Sequence, residues 1–329
     1  MKKKEIFIAI EIKVREYLSK IFLSFFLADK GFRVFIGSKD KIIDLVQKKQ
    51  NNSGIFFYKG GIHKNLINSI DDKTDQHVVI DQEIAPGFSD KKEFEELIPN
   101  SFHQETLKKI DLYFSPNENL YKMSKRLLKK IRGKVVFTGW PRIDLWKIKY
   151  KFFYKNQIKE INSKYRDFIL FNSDFGYVSE NYIDEAKEYY PWGYDRNKSK
   201  QNVYKKYMKE FSKESHLEFI SFIKLVKNFA RTNHKQLILI RAHPSENLQA
   251  WNNNFKDVKN VKILSPNDDV TPWIYCAKCV LHRGCTTALQ SKLINKPTGF
   301  LISNKKYKTS ILKKKFNYDI SEKIFSVND

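Results

Sequence analysis

The sequence predicts an α/β protein made of two Rossmann-like, doubly wound domains that face a central cleft. Short apolar runs alternate with amphipathic segments along nearly the whole chain, as expected for parallel strands joined by crossover helices. The alternation ends near residue 147 and then restarts. Several apolar runs are followed by polar residues, which is typical of the ligand-binding edge of an open α/β sheet.

In the first half, apolar runs predict the strands and 3.6-residue periodicity predicts the helices between them. The predicted strands are EIFIAIE, FRVFIG, GIFFYKG, HVVIDQE, DLYFSP and GKVVFTG. The first helix, KVREYLSKIFLSFFLADKG, ends at Gly31, because glycine commonly follows a helix C-terminus. We therefore place an N-terminal domain at residues 1–147, with parallel strands.

A second domain is predicted at residues 148–329. Its predicted strands are RDFILFN, QLILIR, VKILSP, CVLHRG and PTGFLI. Its predicted helices are one long helix over about 203–232 and two short ones in VTPWIYCAK and CTTALQSKLIN. Residues 177–202 are a polar, aromatic-rich insertion, and the basic last 25 or so residues are predicted to be helical or irregular.

The charge is lopsided, with 61 Lys and Arg against 37 Asp and Glu and a formal net charge of +24. Such a charge attracts polyanions, whether nucleic acid, an acidic membrane surface or phosphorylated ligands. The lysines are scattered, so a general drift of the composition towards lysine is the alternative. No helix-turn-helix, RNA-recognition or zinc-finger signature is present in the sequence. We expect no specific nucleic-acid partner, and a basic nucleic-acid-binding protein is kept as an alternative of a different class.

The sequence also indicates where in the cell the protein is located. It has no run of 18 apolar residues, so no transmembrane helix is expected. Its basic start is followed by only five apolar residues before Glu11, too few for a signal-peptide core. Three cysteines in 329 residues do not indicate a disulfide scaffold. We expect a cytoplasmic protein whose basic surface contacts the anionic inner face of the cytoplasmic membrane.

The stretch CAKCVLHRGC, residues 276–285, contains all three cysteines and a histidine. Structural zinc sites usually pair two close ligands with a second pair a dozen or more residues away. Here a predicted strand would point Cys279 and His282 to opposite faces, because strand side chains alternate. We therefore expect no metal, and we expect Cys276 and Cys279 to be small buried apolar residues.

Two predicted strand ends carry a candidate phosphate site. After LILI come Arg241, His243, Pro244, Ser245 and Glu246, and after VL come His282, Gly284, Cys285, Thr286 and Thr287. An arginine neutralises phosphate charge and a histidine donates a hydrogen bond or a proton. A glycine followed by hydroxyl residues at a helix N-terminus offers close backbone approach and free N–H groups. The simpler alternatives are a surface-loop histidine and a plain threonine cap.

These segments carry a family resemblance. RAHPSEN and DVTPWIYCAKCVLHRGCTTALQSKLINKP resemble bacterial surface carbohydrate biosynthesis proteins, GT-B-like glycosyltransferases of capsule and lipopolysaccharide assembly. In the first half, four segments resemble the same group, in order: EIKVREYLSKIFLSFFLADKGFRVFIG, GIFFYKGG, VVIDQE and FTGWPRIDLW. The His-Pro pair with a hydroxyl pair is also similar to sialyltransferases and Kdo transferases, which use CMP-activated acidic sugars. Arg-Ala-His-Pro replaces the expected Arg-Pro-His-Pro, and Cys285 replaces a hydroxyl, so the donor base stays open.

The resemblance implies roles for both halves. His243 would meet the donor phosphate beside Thr286 and Thr287, and the first half would supply the acceptor side and a catalytic carboxylate. The candidate carboxylates are Glu83, Glu11 and Asp81, acting as base, nucleophile or ion-pair stabiliser. The candidate contacts for an acceptor or an acidic sugar are Lys13, Arg15, Lys59 and Arg142. No metal or cofactor is expected, since GT-B-like enzymes use helix dipoles and basic residues for neutralisation.

We therefore expect a glycosyltransferase that moves a sugar from a nucleotide-activated donor, such as a CMP-linked Kdo, to a saccharide or lipid-linked acceptor of a surface polysaccharide. Another enzyme class is the alternative: a CDP-polyol phosphotransferase of the teichoic-acid type, whose N-terminal HG signature the sequence lacks. A non-catalytic partner in a polysaccharide complex is disfavoured by the carboxylates in the first half.

Overall fold

The computed structural model shows two compact units, one formed by residues up to Leu145 and the other by residues from Trp146. The described residues are 4–50, 53–59, 64–80, 104–115, 118–129, 131–175, 216–244, 246–283, 285–302 and 323–326. Each unit contains its own six-stranded sheet with helices between the strands. The predicted α/β class with two Rossmann-like sheets is confirmed.

Unit 1, the N-terminal unit, alternates strands and helices. Its elements are β1 (Glu5–Ile10), α1 (Lys13–Asp29), β2 (Arg33–Ser38), α2 (Lys39–Gln47), β3 (Ile55–Lys59), α3 (Lys64–Ile70), β4 (Gln76–Ile80), α4 (Gln104–Leu107), β5 (Leu112–Ser115), α5 (Glu118–Leu127), β6 (Lys134–Phe137) and α6 (Pro141–Trp146). The strand order is β2-β1-β3-β4-β5-β6, and neighbouring strands are parallel.

The strands of unit 1 are continuous apolar runs because their sheet is covered on both faces. Ile6, Phe7, Ile8, Ala9 and Ile10 of β1 are all buried, as expected for a strand of a parallel sheet. Ile6 and Ile8 belong to a core cluster in which Leu23 and Leu27 of α1 also take part. Within the described residues, no helix has both the length and the apolar content that a bilayer crossing requires.

Unit 2 follows the same plan. It contains a 3₁₀ helix (Ile148–Tyr154), α7 (Lys155–Lys164), β7 (Ile169–Asn172), α8 (216–232), β8 (Ile238–Arg241), α9 (Leu248–Phe255), β9 (Val261–Leu264), α10 (Thr271–Cys276), β10 (Cys279–His282), α11 (Thr287–Leu293), β11 (Thr298–Ile302) and β12 (Lys323–Ser326). The strand order is β12-β11-β10-β7-β8-β9, again with parallel neighbours.

One of the two central strands of unit 2 is β7, which pairs with β8 on one side and β10 on the other. Leu170 and Phe171 point to opposite faces, each into its own core cluster, one centred on Phe168 and Ile274 and the other on Phe222 and Trp251. Both clusters are apolar, so this sheet is also buried on both faces.

Several elements differ from the prediction. The basic tail was predicted to be helical or irregular, but Lys323–Ser326 forms β12 and extends the sheet beside β11. The segment from residue 148 to 164 received no prediction, and it forms the 3₁₀ helix and α7. The predicted insertion at 177–202 and the first part of the helix predicted from 203 lie outside the described residues.

A glycine in unit 1 provides a test of the packing. A Cβ on Gly133 would lie 1.7 Å from the carbonyl oxygen of Asp111, a main-chain atom that cannot move aside. Gly133→Ala should therefore lower the free energy of unfolding by about 3 kcal/mol, measured as a lower urea midpoint with an unchanged slope. The control is Gly37→Ala, whose Cβ would meet Ile42 at 3.6 Å. Equal midpoints for the two variants would contradict this packing.

Candidate functional site

The two predicted motifs of unit 2 meet at one edge of the sheet. Arg241 at the end of β8 and His282 at the end of β10 are both cross-strand partners of Asn172, which ends β7. Neighbouring strands lie about 4.8 Å apart, so the loops that follow β8 and β10 are separated by about 10 Å. The carboxyl edge of the sheet thus places the His243 loop and the Thr286 loop on either side of the end of β7.

The carboxylate of Glu246 ties the His243 loop to the end of β7. It accepts hydrogen bonds from the N–H of Phe175 (2.7 Å), the N–H of His243 (3.0 Å), the indole Nε1 of Trp251 (2.9 Å) and the hydroxyl of Ser173. Burial raises the pKa of Glu246, against hydrogen bonds from Ser173, His243 and Phe175 that lower it. Both carboxylate oxygens of Glu246 are engaged within unit 2. The prediction that Glu246 binds the nucleotide-sugar donor is therefore corrected, because its carboxylate positions the His243 loop instead.

A buried arginine ties the loop after β10 to the same place. Arg283 donates from Nη1 to the carbonyl of Asp174 at 3.0 Å and pairs through Nη2 with Glu218 on α8. Its guanidinium also lies over the ring of Phe175, 3.8 Å from the centroid. Arg283 and Glu218 are both buried, and a buried charge is stable only when it is paired and hydrogen bonded. Residues 173–175 therefore hold both loops.

Arg241 lies at the predicted strand end, but its guanidinium contacts another loop of unit 2. Its Nη2 donates to the main-chain carbonyls of Pro266 (2.9 Å) and Asp268, in the loop between β9 and α10. The guanidinium thus braces that loop, and the predicted phosphate contact of Arg241 is corrected to a contact within the fold.

The predicted ligand role of His282 is also corrected. Its side chain is fully buried and packs edge-on against Phe300, with ring centroids 5.7 Å apart. Burial lowers the pKa of His282 to about 4, so the ring is neutral at physiological pH. Strand alternation explains this: His282 points to the same face as Val280, which is a core residue.

The loop before α11 keeps part of the predicted arrangement. Thr286 is the N-cap residue and is half-buried, while Thr287 begins the helix and is buried. Cys285 turns inwards, with its Sγ 2.7 Å from Oγ1 of Thr287. Burial, helped by the charge of Asp174, raises the pKa of Cys285 to about 11, which keeps it a neutral thiol. Gly284 lies outside the described residues.

The His243 loop has its backbone fixed. The N–H of His243 also lies 3.0 Å from Oγ of Ser173, whose own N–H donates to the carbonyl of Arg241 at 3.1 Å. The His243 side chain is half-buried and Pro244 is exposed at the edge of the sheet. Ser245 lies outside the described residues.

Asn172 is a polar residue that the sequence interpretation did not assign to the site. Its side chain is 3% exposed, and neither amide atom has a hydrogen-bond partner among the described residues. A buried amide without a partner is costly. Asn172 therefore offers a donor and an acceptor at the strand end that lies between the two motif loops.

In unit 1, the carboxyl edge of the sheet gathers predicted and unpredicted charges. Glu11 follows β1 and lies 3.3 Å from Nζ of Lys59, the last residue of β3, and 3.2 Å from Nζ of Lys39, just after β2. Burial raises the pKa of Glu11, but Lys59 and Lys39 outweigh it and hold the pKa below its ordinary value. The structure thus brings Glu11 and Lys59 together, as an ion pair with each other.

A second carboxylate lies beneath this edge. Glu16 of α1 is buried and accepts from the main-chain N–H groups of Glu11 (3.1 Å) and Ile12 (3.0 Å). It also pairs with Lys20 at 2.6 Å and with Lys59 at 3.2 Å. Burial raises the pKa of Glu16, but Lys20 and Lys59 outweigh it, so the carboxylate is ionised. Glu16 therefore caps α1 and holds two buried lysines.

The remaining predicted residues of unit 1 lie on helices or outside the described chain. Lys13 and Arg15 are in the first turn of α1. Arg142 of α6 lies over the ring of Trp140, 5.8 Å from its centroid. Asp81 and Glu83 lie outside the described residues, directly after β4.

The cysteine cluster is divided among separate elements. Cys276 ends α10 and directs its Sγ to the carbonyl of Ile158, while Cys279 begins β10. Burial raises the pKa of both thiols. In the part of the chain that the structure describes, no three His, Cys, Asp or Glu side chains are grouped as a metal site would need.

Some of the missed residues had a sequence signal. Ser173 and Asp174 follow the apolar run FILF, which is the same pattern that marked the other two strand ends. Glu16 and Lys20 are four residues apart on the face of α1 that also presents Leu23 and Leu27 to the core. The helical periodicity of the sequence therefore indicates that the Glu16–Lys20 pair faces the core.

Among the comparisons with known proteins, only the one with solved structures finds similar proteins. No protein-family model matches the chain, and no curated protein matches it by sequence. The chain is similar to a variant of the wall teichoic acid polymerase TagF, with 11% identity, 98% of this chain and 76% of that chain covered, and a TM-score of 0.51. It is similar to the S. aureus MnaA–UDP co-structure, with 14% identity, 93% and 81% covered, and a TM-score of 0.51.

A third similar structure is the UDP-GlcNAc 2-epimerase from Methanocaldococcus jannaschii, with 11% identity, 99% of this chain and 89% of that chain covered, and a TM-score of 0.50. At these identities the similarity shows the fold. Two parallel sheets with alternating helices are the architecture of the GT-B type.

The buried cluster of unit 1 can be tested by charge removal. Glu16→Gln leaves Lys20 and Lys59 buried with less negative charge beside them, and we expect a loss of about 3–5 kcal/mol in the free energy of unfolding. The stabilisation from Glu16 is complete above its unfolded pKa of 4.5 and is lost as the pH falls through its lowered folded pKa. Wild type and variant should therefore converge in acid.

The matched control is Glu118→Gln, which removes a carboxylate from an exposed pair with Lys122 at the same i,i+4 spacing and 2.7 Å. That pair is in water, so little change in stability is expected. Urea unfolding at several pH values gives both results. Equal losses for the two variants, or a loss at Glu16 that does not depend on pH, would refute the buried pairing.

Proposed function

We propose that the chain is a transferase that takes a nucleotide-activated donor at the carboxyl edge of the unit 2 sheet and serves surface carbohydrate synthesis. The observation that carries the proposal is the convergence of the His243 loop, Asn172 and the Thr286 loop on three adjacent strand ends. Ligands of open α/β sheets bind at this edge. The fold shared with TagF, MnaA and the epimerase supports the same class of ligand, since MnaA is bound to UDP.

In this proposal, His243 stabilises the departing phosphate by a hydrogen bond or a proton. Its backbone is held by Glu246 and Ser173, so the imidazole is presented by a fixed loop. Thr286 and Thr287 at the start of α11 supply hydroxyl groups, and Asn172 supplies its amide. Positive charge comes from the unit as a whole, because Arg241 and Arg283 are engaged within the fold.

The acceptor side is proposed for the carboxyl edge of unit 1. Glu11 is ionised and its pKa is lowered, so it is a weak general base at neutral pH. We assign it to ion-pair stabilisation of an acceptor or sugar beside Lys59 and Lys39. A general base is then proposed from Glu83 or Asp81, which follow β4, the strand beside β3. Lys13, Arg15 and Arg142 are proposed as peripheral contacts to an acidic acceptor. No metal or cofactor is proposed.

A second candidate is transfer of a polyol phosphate from a CDP donor, which the similarity to a teichoic acid polymerase favours. The two reactions break different bonds. Transfer of a sugar breaks the bond between the sugar carbon and the phosphate oxygen, whereas polyol-phosphate transfer breaks the P–O–P link and leaves the phosphate on the acceptor. ³¹P NMR of the acceptor product separates them, since only the second reaction gives a new phosphodiester. A CMP-linked acidic sugar such as Kdo remains one donor to include.

Nucleotide binding tests the proposed site. We expect at least one of CMP, CDP, UDP, GDP and TDP to raise the melting temperature of the wild-type protein. His243→Ala should abolish the response because it removes the contact to the phosphate. Asn172→Leu should also weaken binding, without loss of stability, since it removes a buried amide that has no hydrogen-bond partner among the described residues.

The control is His234→Ala, an exposed histidine beyond the end of α8, which should respond like the wild type. The site is wrong if no nucleotide stabilises the wild type, or if His243→Ala and His234→Ala respond equally.

A further inference from the structure

An exposed basic and aromatic segment begins unit 2. The 147–155 segment, KIKYKFFYK, contains the 3₁₀ helix and the first residue of α7. It is anchored at both ends, because Trp146 just before it and Tyr154 near its end are each only 2% exposed. The residues between these two anchors are therefore presented on a fixed stretch of backbone.

The apolar side chains of this segment face solvent. Ile148 is 49% exposed, Phe152 is 63% exposed and Phe153 is 36% exposed. The rings of Phe152 and Phe153 stack on each other, with centroids 4.3 Å apart. A cluster of large apolar side chains on the surface is typical of an interaction site.

Lysines alternate with these apolar residues. Lys147, Lys149, Lys151 and Lys155 are all exposed, and the sequence has no Asp or Glu between Asp144 and Glu160. Lys149 lies 4.9 Å from the centroid of Tyr150, and Lys151 lies 5.4 Å from that of Tyr275. The ammonium groups of Lys149 and Lys151 thus lie over aromatic rings at the exposed surface of the segment.

We propose that the 147–155 segment docks the protein on an anionic lipid surface. Phenylalanine and isoleucine side chains enter the boundary between headgroups and acyl chains, while lysines attract anionic headgroups. A second copy of this chain fits less well, because it would bring four lysines against four lysines. A nucleic acid would pair its phosphates with the lysines and stack its bases on the aromatic rings, but it offers no apolar partner for Ile148.

This proposal assigns the membrane contact that the basic charge led us to expect to one segment of the chain, residues 147–155. It goes beyond the proposed transfer reaction. Its test uses neither donor nor acceptor, so it can fail or succeed independently of the proposed transferase activity.

The test is flotation of the full-length protein with phosphatidylcholine vesicles that do or do not contain phosphatidylglycerol. The wild type should float with the anionic vesicles and dissociate as salt is raised. Phe152→Ser with Phe153→Ser should weaken partitioning about tenfold or more, since two exposed rings no longer enter the lipid. Lys149→Gln with Lys151→Gln should weaken it about thirtyfold at low salt.

Two matched variants show whether the effect belongs to this segment. Lys256→Gln with Lys259→Gln removes the same charge from exposed lysines elsewhere in unit 2. Phe25→Ser with Phe26→Ser removes two rings of α1 that are 72% and 55% exposed. Both variants should float like the wild type. Circular dichroism and melting temperature check that every variant is folded.

Several results would overturn the proposal. One is equal binding by the wild type and the Phe152/Phe153 variant, and another is equal loss in the Lys256/Lys259 control, which would assign binding to bulk charge. Loss only in the Phe25/Phe26 variant would move the docking surface to α1. Two further results count if the wild type does not float. Loss of affinity for a generic oligonucleotide in the 147–155 variants would assign the segment to nucleic acid. Loss of self-association in analytical ultracentrifugation would assign it to a second copy of the chain.

Discussion

Hydrogen bonds to residues 173–175, which follow β7, hold two separate loops of unit 2 in place. Glu246 reaches them from the loop after β8, and Arg283 reaches them from the loop after β10. Each of these contacts joins residues more than 70 positions apart in the chain, and each uses an ionisable side chain that makes several hydrogen bonds or ion pairs. Such groups are costly to leave without partners inside a protein. They therefore fix the loops in one arrangement, and His243 and Thr286 lie at the sheet edge because of them.

A comparable constraint operates at the carboxyl edge of unit 1. Glu16 and Lys20 are buried under the ends of β1 and β3, and Lys59 connects them to Glu11 at the surface. A buried ion pair adds little net stability over an apolar pair, but removing one partner is costly. The cluster therefore keeps Glu11 ionised and in place. In both units, polar side chains inside the fold position those at its edge.

Much of this arrangement could be predicted because strands and helices leave periodic patterns. The apolar runs predicted the strands of both sheets except β12, and the polar residues after β8 and β10 marked the edge of unit 2. The inward direction of His282 was also within reach, since it is in phase with Val280 along β10. That prediction failed because the type of residue was given more weight than its phase in the strand.

Other features could not be read from the sequence. The carbonyl partners of Arg241 come from a loop about 25 residues further along, and the donors to Glu246 include residues about 70 positions earlier. No local pattern encodes such contacts, so Arg241 and Glu246 were both predicted to bind a ligand. The strand β12 has only four residues in a lysine-rich tail, and its pairing with β11 depends on tertiary context.

The central claim is that the ends of β7, β8 and β10 form one nucleotide-binding edge. Hydrogen–deuterium exchange with and without a saturating nucleotide tests it most directly, because protection reports where the ligand binds. The account predicts slower exchange in peptides that cover residues 172–175, 241–244 and 285–288 together, with no change over α9 and β9. Protection confined to α9 and β9 or to unit 1, or no protection with any of the nucleotides, would contradict it.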